Sequence, residues 1–303
     1  MLRGLLRPLL VSAGLLAALP ASADAERTGV RWHDEWPRIR TWEYFATAGA
    51  LGGAFALRFA GPDPPDNWRG GILFDDAIMD RLALATPNNR ALAQRIGDGM
   101  FYGSMAYRLV DSAFIPLVGY GDADLALQMS MIDLEAFGTV AVVLWGAQVF
   151  VGRKRRGAPE ECSDPLQLSN CSDERLRSFI AGHAATVTAA AGVTCMHHGH
   201  IPLYGGDADT IACGSMIGAA AMTGVARMWI EAHNPTDTLL GWGLGAFAGW
   251  FVPAALHYGF GGRRDRARYE LARSSRTAQA GPRALLLPWA TEQGGGAALA
   301  GVF

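Results

Sequence analysis

The stretch Arg227–Trp242, RMWIEAHNPTDTLLGW, decides how the rest of the chain is read. It spaces three chemically active residues as Arg227, five residues, His233, three residues, Asp237, and runs on into an apolar segment that reaches about Tyr258. Asn234 has the side chain of a helix N-cap, and Pro235 suits the first helical position, where its missing N–H costs nothing. The pattern predicts a helix with His233 just outside its N-terminus. Backbone N–H groups and the positive end of the helix dipole favour an anion there. Asp237 lies one turn in, where a carboxylate could hold the imidazole in one tautomer and raise its basicity.

Two upstream stretches point the same way. RSFIAGHAAT places Gly182 and His183 at the start of another apolar, Ala-rich helix, and VFVGRKRRG ends a long apolar segment with Arg153, Lys154, Arg155 and Arg156. Three helix ends, two histidines and several arginines could converge on one phosphate-sized anion.

In this order and spacing the residues resemble the type 2 phosphatidic acid phosphatase and vanadium haloperoxidase superfamily. Its motifs read Lys-x6-Arg-Pro, Pro-Ser-Gly-His and Ser-Arg-x5-His-x3-Asp, on separate helices. Arg155 takes the first arginine, Gly182 and His183 close the second motif, and Arg227, His233 and Asp237 match the third. The resemblance spans roughly Leu144 to Trp242. It implies an all-α fold, a six-helix bundle of the phosphatidic acid phosphatase/haloperoxidase kind with additional amphipathic helices. The activity it implies is that of an acid phosphatase or phosphatidic acid phosphatase-type hydrolase. His233 would attack phosphorus, Asp237 orient it, and His183 protonate the leaving oxygen and then activate water. Arg155, Arg227 and the Gly182 N–H would hold the phosphate oxygens. No resident metal or other cofactor is implied, and vanadate would be an inhibitor.

The sequence also departs from the family pattern. Gln148 stands where the first motif has lysine, Arg156 where it has proline, Ile180 and Ala181 where the second has Pro-Ser, and Ala226 where the third has serine. Losing one pre-positioned donor costs on the order of 100- to 1,000-fold in rate. Lys154, Arg153, Arg156 or Ser178 are the candidates to replace the missing donors. Two alternatives follow: a weak or inactive member acting as a binding protein, and a vanadate-dependent haloperoxidase in which His233 ligates the metal.

Half of the 303 residues are hydrophobic, 38 are glycine and only 18% are charged, enough for one large core. A formal charge of −2 gives no bias toward nucleic acid, so none is expected as a partner. The expected partner is a phosphorylated small molecule or a lipid phosphate, with membrane association as an open alternative. Arg3 and Arg7, an apolar run from Leu9 to Leu19 and the small residues around Ala21–Ala23 read as a signal peptide over 1–23. Export makes disulfides the expected state of the cysteines, with local pairs Cys162–Cys171 and Cys195–Cys213 favoured.

Along the chain the pattern predicts helices over 42–60, 72–84, a short one after Pro87 to about Ile96, 99–117, 124–152, 183–196, 210–227 and 237–258. The helical domain covers 24–262, and 263–303 is a basic segment ending in two strands joined by a Gly-rich turn near Gly294–Gly296, with a disordered tail as the alternative. His197, His198 and His200 look like a metal cluster, but they lie roughly 20 Å along the helix from His183 at 1.5 Å per residue, and no partner carboxylates are visible nearby. Asp75 and Asp76 read as a solvated helix face.

Hydropathy is mixed: the last four helices have uncharged runs of about 16 or more residues and the first two do not, where a span needs ~20. Six spans behind a cleaved signal would also leave the histidine-bearing loops in the reducing cytoplasm. The expectation is an exported, periplasmic bundle, with an integral inner-membrane protein as the alternative.

Overall fold

The computed structural model describes residues 30–158, 172–260, 283–291 and 294–302. The segment expected to be a signal peptide, Cys162 and Cys171 lie outside the described residues. Among them are seven α-helices: α1 Thr41–Phe59, α2 Asp75–Leu82, α3 Pro87–Leu109, α4 Ala123–Val151, α5 Gly182–His200, α6 Asp207–Trp229 and α7 Pro235–Ala246. Wider turns extend α3 through Val110–Gly119, and α7 through Phe247–Phe251 and Ala254–Tyr258. Val30–Gly262 forms one compact unit, an all-α bundle of six long helices and the short α2.

Local chemistry explains the helix ends. Thr86 accepts from the Asn89 N–H ahead of α3 with Pro87 at its first position, and Asp122 accepts from the Leu125 N–H at the start of α4. α4 stops at Gly152, whose φ of +60° is left-handed and where a Cβ would sit 1.6 Å from the Pro65 carbonyl oxygen. Only glycine turns the chain there.

α5 is the centre of the bundle. Ala184, Ala185, Val187, Ala189, Ala190 and Ala191 are fully buried, and the helix packs against α3, α4, α6 and α7. Its approach to α7 is very close. A Cβ on Gly241 would lie 2.7 Å from the Ala181 carbonyl oxygen, one on Gly245 2.3 Å from that of Ala185, and one on Gly249 2.4 Å from that of Ala189. The contacts climb both helices in the same direction, so α5 and α7 run parallel, with both N-termini at one end. Small residues at every fourth position allow this separation.

Two expectations about helix boundaries need correction. The helices expected on either side of Gly97–Gly99 are one continuous α3, because Gly97 is a packing residue: its Cβ would lie 3.2 Å from that of Ala226. Likewise α5 does not stop at Met196 but continues through the histidines to His200. The Cys195–Cys213 disulfide ties α5 to α6, as expected.

The C-terminal strands β1 Arg283–Thr291 and β2 Gly294–Val302 form an antiparallel hairpin. The reversal falls between Thr291 and Gly294, so Gly294–Gly296 belong to β2 and not to the turn. Pro288 is tolerated because a two-stranded ladder is all edge.

Three helical segments are long and apolar enough to cross a membrane, Ala123–Val151, Asp207–Trp229 and Pro235–Tyr258, and most of each apolar window faces outward. Phe45, Phe59, Phe150, Ile211, Leu240 and Phe251 are among the large side chains left exposed.

Candidate active site

The site is built at the end of the bundle where α5 and α7 begin. After Gly152 the chain runs extended beside Trp68, with Lys154 N–H donating to the Trp68 carbonyl at 2.9 Å. This delivers Arg153 and Arg155 to different places. Arg153 is fully buried: it donates to Asp237 Oδ1 at 2.5 Å, Thr236 Oγ1 at 3.0 Å, Asp75 Oδ2 at 2.7 Å and the Gly70 carbonyl at 3.0 Å, with its guanidinium 4.1 Å from the Trp68 ring. It is a strut between α2 and α7, already occupied by two carboxylates. Asp75 is therefore a buried partner and not a solvated helix face.

His233 is 3% exposed, and its Nδ1 lies 2.6 Å from the Ser178 carbonyl oxygen. A carbonyl only accepts, so Nδ1 carries the proton and Nε2 keeps its lone pair. The expected direct contact from Asp237 is not made. That carboxylate instead accepts from Ser178 Oγ at 2.6 Å, from the Asn234 N–H at 3.0 Å and from Arg153. A residue three positions into a helix reaches back to its own N-cap, the geometry of a capping box, which turns the carboxylate away from His233. Asp237 acts on His233 through Ser178, whose hydroxyl it holds and whose carbonyl holds the imidazole.

His183 stands in the first turn of α5, against Phe101 at 4.6 Å between ring centroids, with Nε2 3.9 Å from Asp98 Oδ1. Asp98 also pairs with Arg227, in the last turn of α6, whose Nε is buried without a partner. Arg155 reaches Glu174 Oε2 at 3.0 Å. Gly182 opens α5, where a Cβ would meet Leu144 at 2.9 Å.

The electrostatics join these residues into one cluster. Burial, then Arg227 and Arg155, push His183 down to about 3. Burial, then Arg155, hold His233 well below the ordinary histidine range, with His183 and Arg227 acting in the same direction. Burial also pulls Arg155 down to about 10, with the charges of Arg227 and Arg177 adding to the effect against the opposing pull of Glu174. Cations that depress one another are arranged for an anion. A cleft of about 390 Å³ opens beside them, lined by Arg69, Gly70, Asp76, Lys154, Arg155 and Asn234 among others.

The candidate replacements for the missing motif donors divide accordingly. Arg153 and Ser178 are committed to Asp237, and Arg156 pairs with Asp76, Asp80 and Glu231. Lys154 lines the cleft. Gln148, at the lysine position, is 5% exposed and donates to the Ile180 carbonyl at 3.3 Å. Sequence reading missed Asp98 and the buried Arg177; Asp98 lies far from every motif, whereas Arg177 precedes Ser178 in the loop leading to His183.

No curated protein and no solved structure matches the chain. The model of the PAP2 superfamily matches residues 136–260, which contain Arg155, Gly182, His183, Arg227, His233 and Asp237. The match supports a phosphatase-type function in general. The matched helices carry every residue of the expected site and support the PAP2 superfamily as the family this region resembles.

Proposed function

We propose that the protein is a membrane-embedded phosphatase that hydrolyses a lipid phosphate monoester or pyrophosphate through a phosphohistidine. The observation that carries the reading is the Ser178 carbonyl on His233 Nδ1, which leaves Nε2 as the nucleophile of a neutral imidazole beside Arg155, Arg227 and His183.

In the first step Nε2 of His233 bonds to phosphorus as the ester P–O bond breaks. Arg155 and Arg227 stabilise the equatorial oxygens, and the leaving oxygen takes a proton from His183. The empty site keeps His183 neutral, and the arriving phosphate dianion raises its proton affinity, so substrate arms its own acid. In the second step His183 accepts a proton from water, the hydroxide oxygen bonds to phosphorus, and the P–N bond breaks to release phosphate. Positioning and charge stabilisation dominate such transfers, which suits a site made of fixed guanidiniums and helix N-termini.

The outward-facing apolar windows of three helices support the integral alternative over the soluble periplasmic bundle. A substrate with an acyl or prenyl tail would approach through that apolar surface. The binding-protein reading is favoured by one observation, the pairing of Arg227 with Asp98, a carboxylate that competes with phosphate for the arginine.

Phosphate release from phosphatidic acid and from a soluble aryl phosphate by purified protein in detergent tests both. Turnover lost by at least ~1,000-fold in His233→Ala, with 32P trapped on an acid-labile, base-stable phosphoamino acid in the wild type, supports the phosphohistidine. Equal inactivity of the two proteins sinks it and leaves the binding protein.

A further inference from the structure

Roughly 30 Å along α7 from Asp237, at 1.5 Å per residue, three side chains from three helices meet. Glu43 lies in the first turn of α1, Glu135 in α4 and His257 in the last extension of α7. One ligand atom from each lies within 4.8 Å of the other two, and the residues are 1%, 7% and 1% exposed. His257 Nε2 is 2.8 Å from Glu135 Oε2. Glu135 Oε1 and His257 Nδ1 are buried with no hydrogen-bond partner. Glu43 Oε1 accepts twice from the Arg40 guanidinium and Oε2 once from the Arg40 N–H, which leaves an acceptor site on Oε2, since each carboxylate oxygen has about two.

Two carboxylates share this buried pocket with one arginine and one histidine, and two of its buried atoms have no partner. Groups of this kind are seldom left unsatisfied. A metal ion takes lone pairs from carboxylate oxygens and from an imidazole nitrogen alike.

We propose that Glu43, Glu135 and His257 form a binding site for a divalent first-row transition metal, with Zn2+ as the ion the donor set fits best. Two carboxylate oxygens and one imidazole nitrogen suit zinc with water completing the shell, whereas magnesium and calcium take oxygen ligands. The ion bridges the start of α1, the middle of α4 and the end of α7, and so fastens the end of the bundle remote from the phosphate site. It takes no part in phosphoryl transfer, and the inference stands or falls apart from the phosphatase reading.

The test uses tag-free, full-length protein stripped with EDTA and dialysed against Zn2+, with bound metal measured by mass spectrometry beside Glu135→Gln, His257→Gln and, as control, His33→Gln at an exposed surface histidine. The expected result is one zinc per chain in the wild type and in H33Q, a raised melting temperature on zinc addition, and loss of both in E135Q and H257Q. If the stripped wild type takes up no more zinc than a protein-free blank, or if both folded variants keep the full equivalent, the site is refuted. Should both variants fail to fold, Co2+ added to the wild type decides: visible bands of cobalt with nitrogen and oxygen ligands support the site, and their absence overturns it.

Discussion

The two ends of α5 carry histidines in opposite circumstances. At its start, His183 shares a pocket with His233, Arg155 and Arg227, where positive charge exceeds negative and both histidines are held below their ordinary range. Toward its end, His197 and His198 sit among Arg108, Asp111, Asp133 and Asp209, every one of them paired. His198 touches Asp111 at 3.0 Å and Asp209 at 2.7 Å. Burial alone would lower it, but these carboxylates overcome that and push it up to about 9. Arg108 donates three times to Asp133, at 2.9, 3.0 and 3.1 Å. At one end the arginines pair with the partly exposed Glu174 and Asp98 and depress two histidines; the other end is a closed, buried network. Residue type is the same at both, and charge balance tells them apart.

The contrast breaks if the wrong end responds to mutation. The largest effect is expected from Arg108→Met, which takes the guanidinium from the buried Asp111 and Asp133 and leaves them only their histidine and tyrosine partners; it should lower unfolding free energy by about 3–5 kcal/mol in a denaturant titration. Turnover per folded molecule should not change. Next is Arg227→Gln, which removes one guanidinium from the anion site. It should cut turnover about 100- to 1,000-fold while changing stability little, because the Asp98 it releases is partly exposed. An inactive R108M and a merely unstable R227Q would reverse the assignment of the two ends.

The smallest effect sharpens the contrast through pH. An anion between Arg155, Arg227 and the histidines raises the protonation of His183, so the complex holds more protons than the empty site. Binding must then tighten as pH falls, by up to about tenfold per unit for one proton, and level off toward pH 3, where His183 is protonated without the anion. Sulfate keeps its charge over this range. Its inhibition constant between pH 8 and 5 should fall, and a flat profile would mean that the histidines do not face the anion.

Much of this was legible in the sequence, for reasons that particular residues make plain. Periodicity and caps marked the long helices apart from the break placed in α3, and the spacing from Arg227 to Asp237 singled out residues that lie together at one end of the bundle, because both signals are local. What stayed hidden depended on contacts between distant segments. Gly97 looked like a break because nothing nearby in sequence says that it faces Ala226. Partner carboxylates for the terminal histidines of α5 were not visible because they come from α3, α4 and α6. Asp237 was read as the residue that orients His233, and proximity along the chain was misleading: the capping contact to Asn234 competes for the same carboxylate. The Ser178 carbonyl that replaces it could not be read from side-chain identity, since every residue has a carbonyl.

The notches that Gly241, Gly245 and Gly249 cut for the backbone of α5 have a consequence for how the site can fail. His183 lies in the first turn of one of these helices and His233 precedes the other, so the gap between the two histidines is indexed by which notch meets which carbonyl. Successive notches are four residues apart, about 6 Å at 1.5 Å per residue. The nearest alternative register is therefore a whole step away. The two histidines are either in register or a full step apart, with no graded loosening in between.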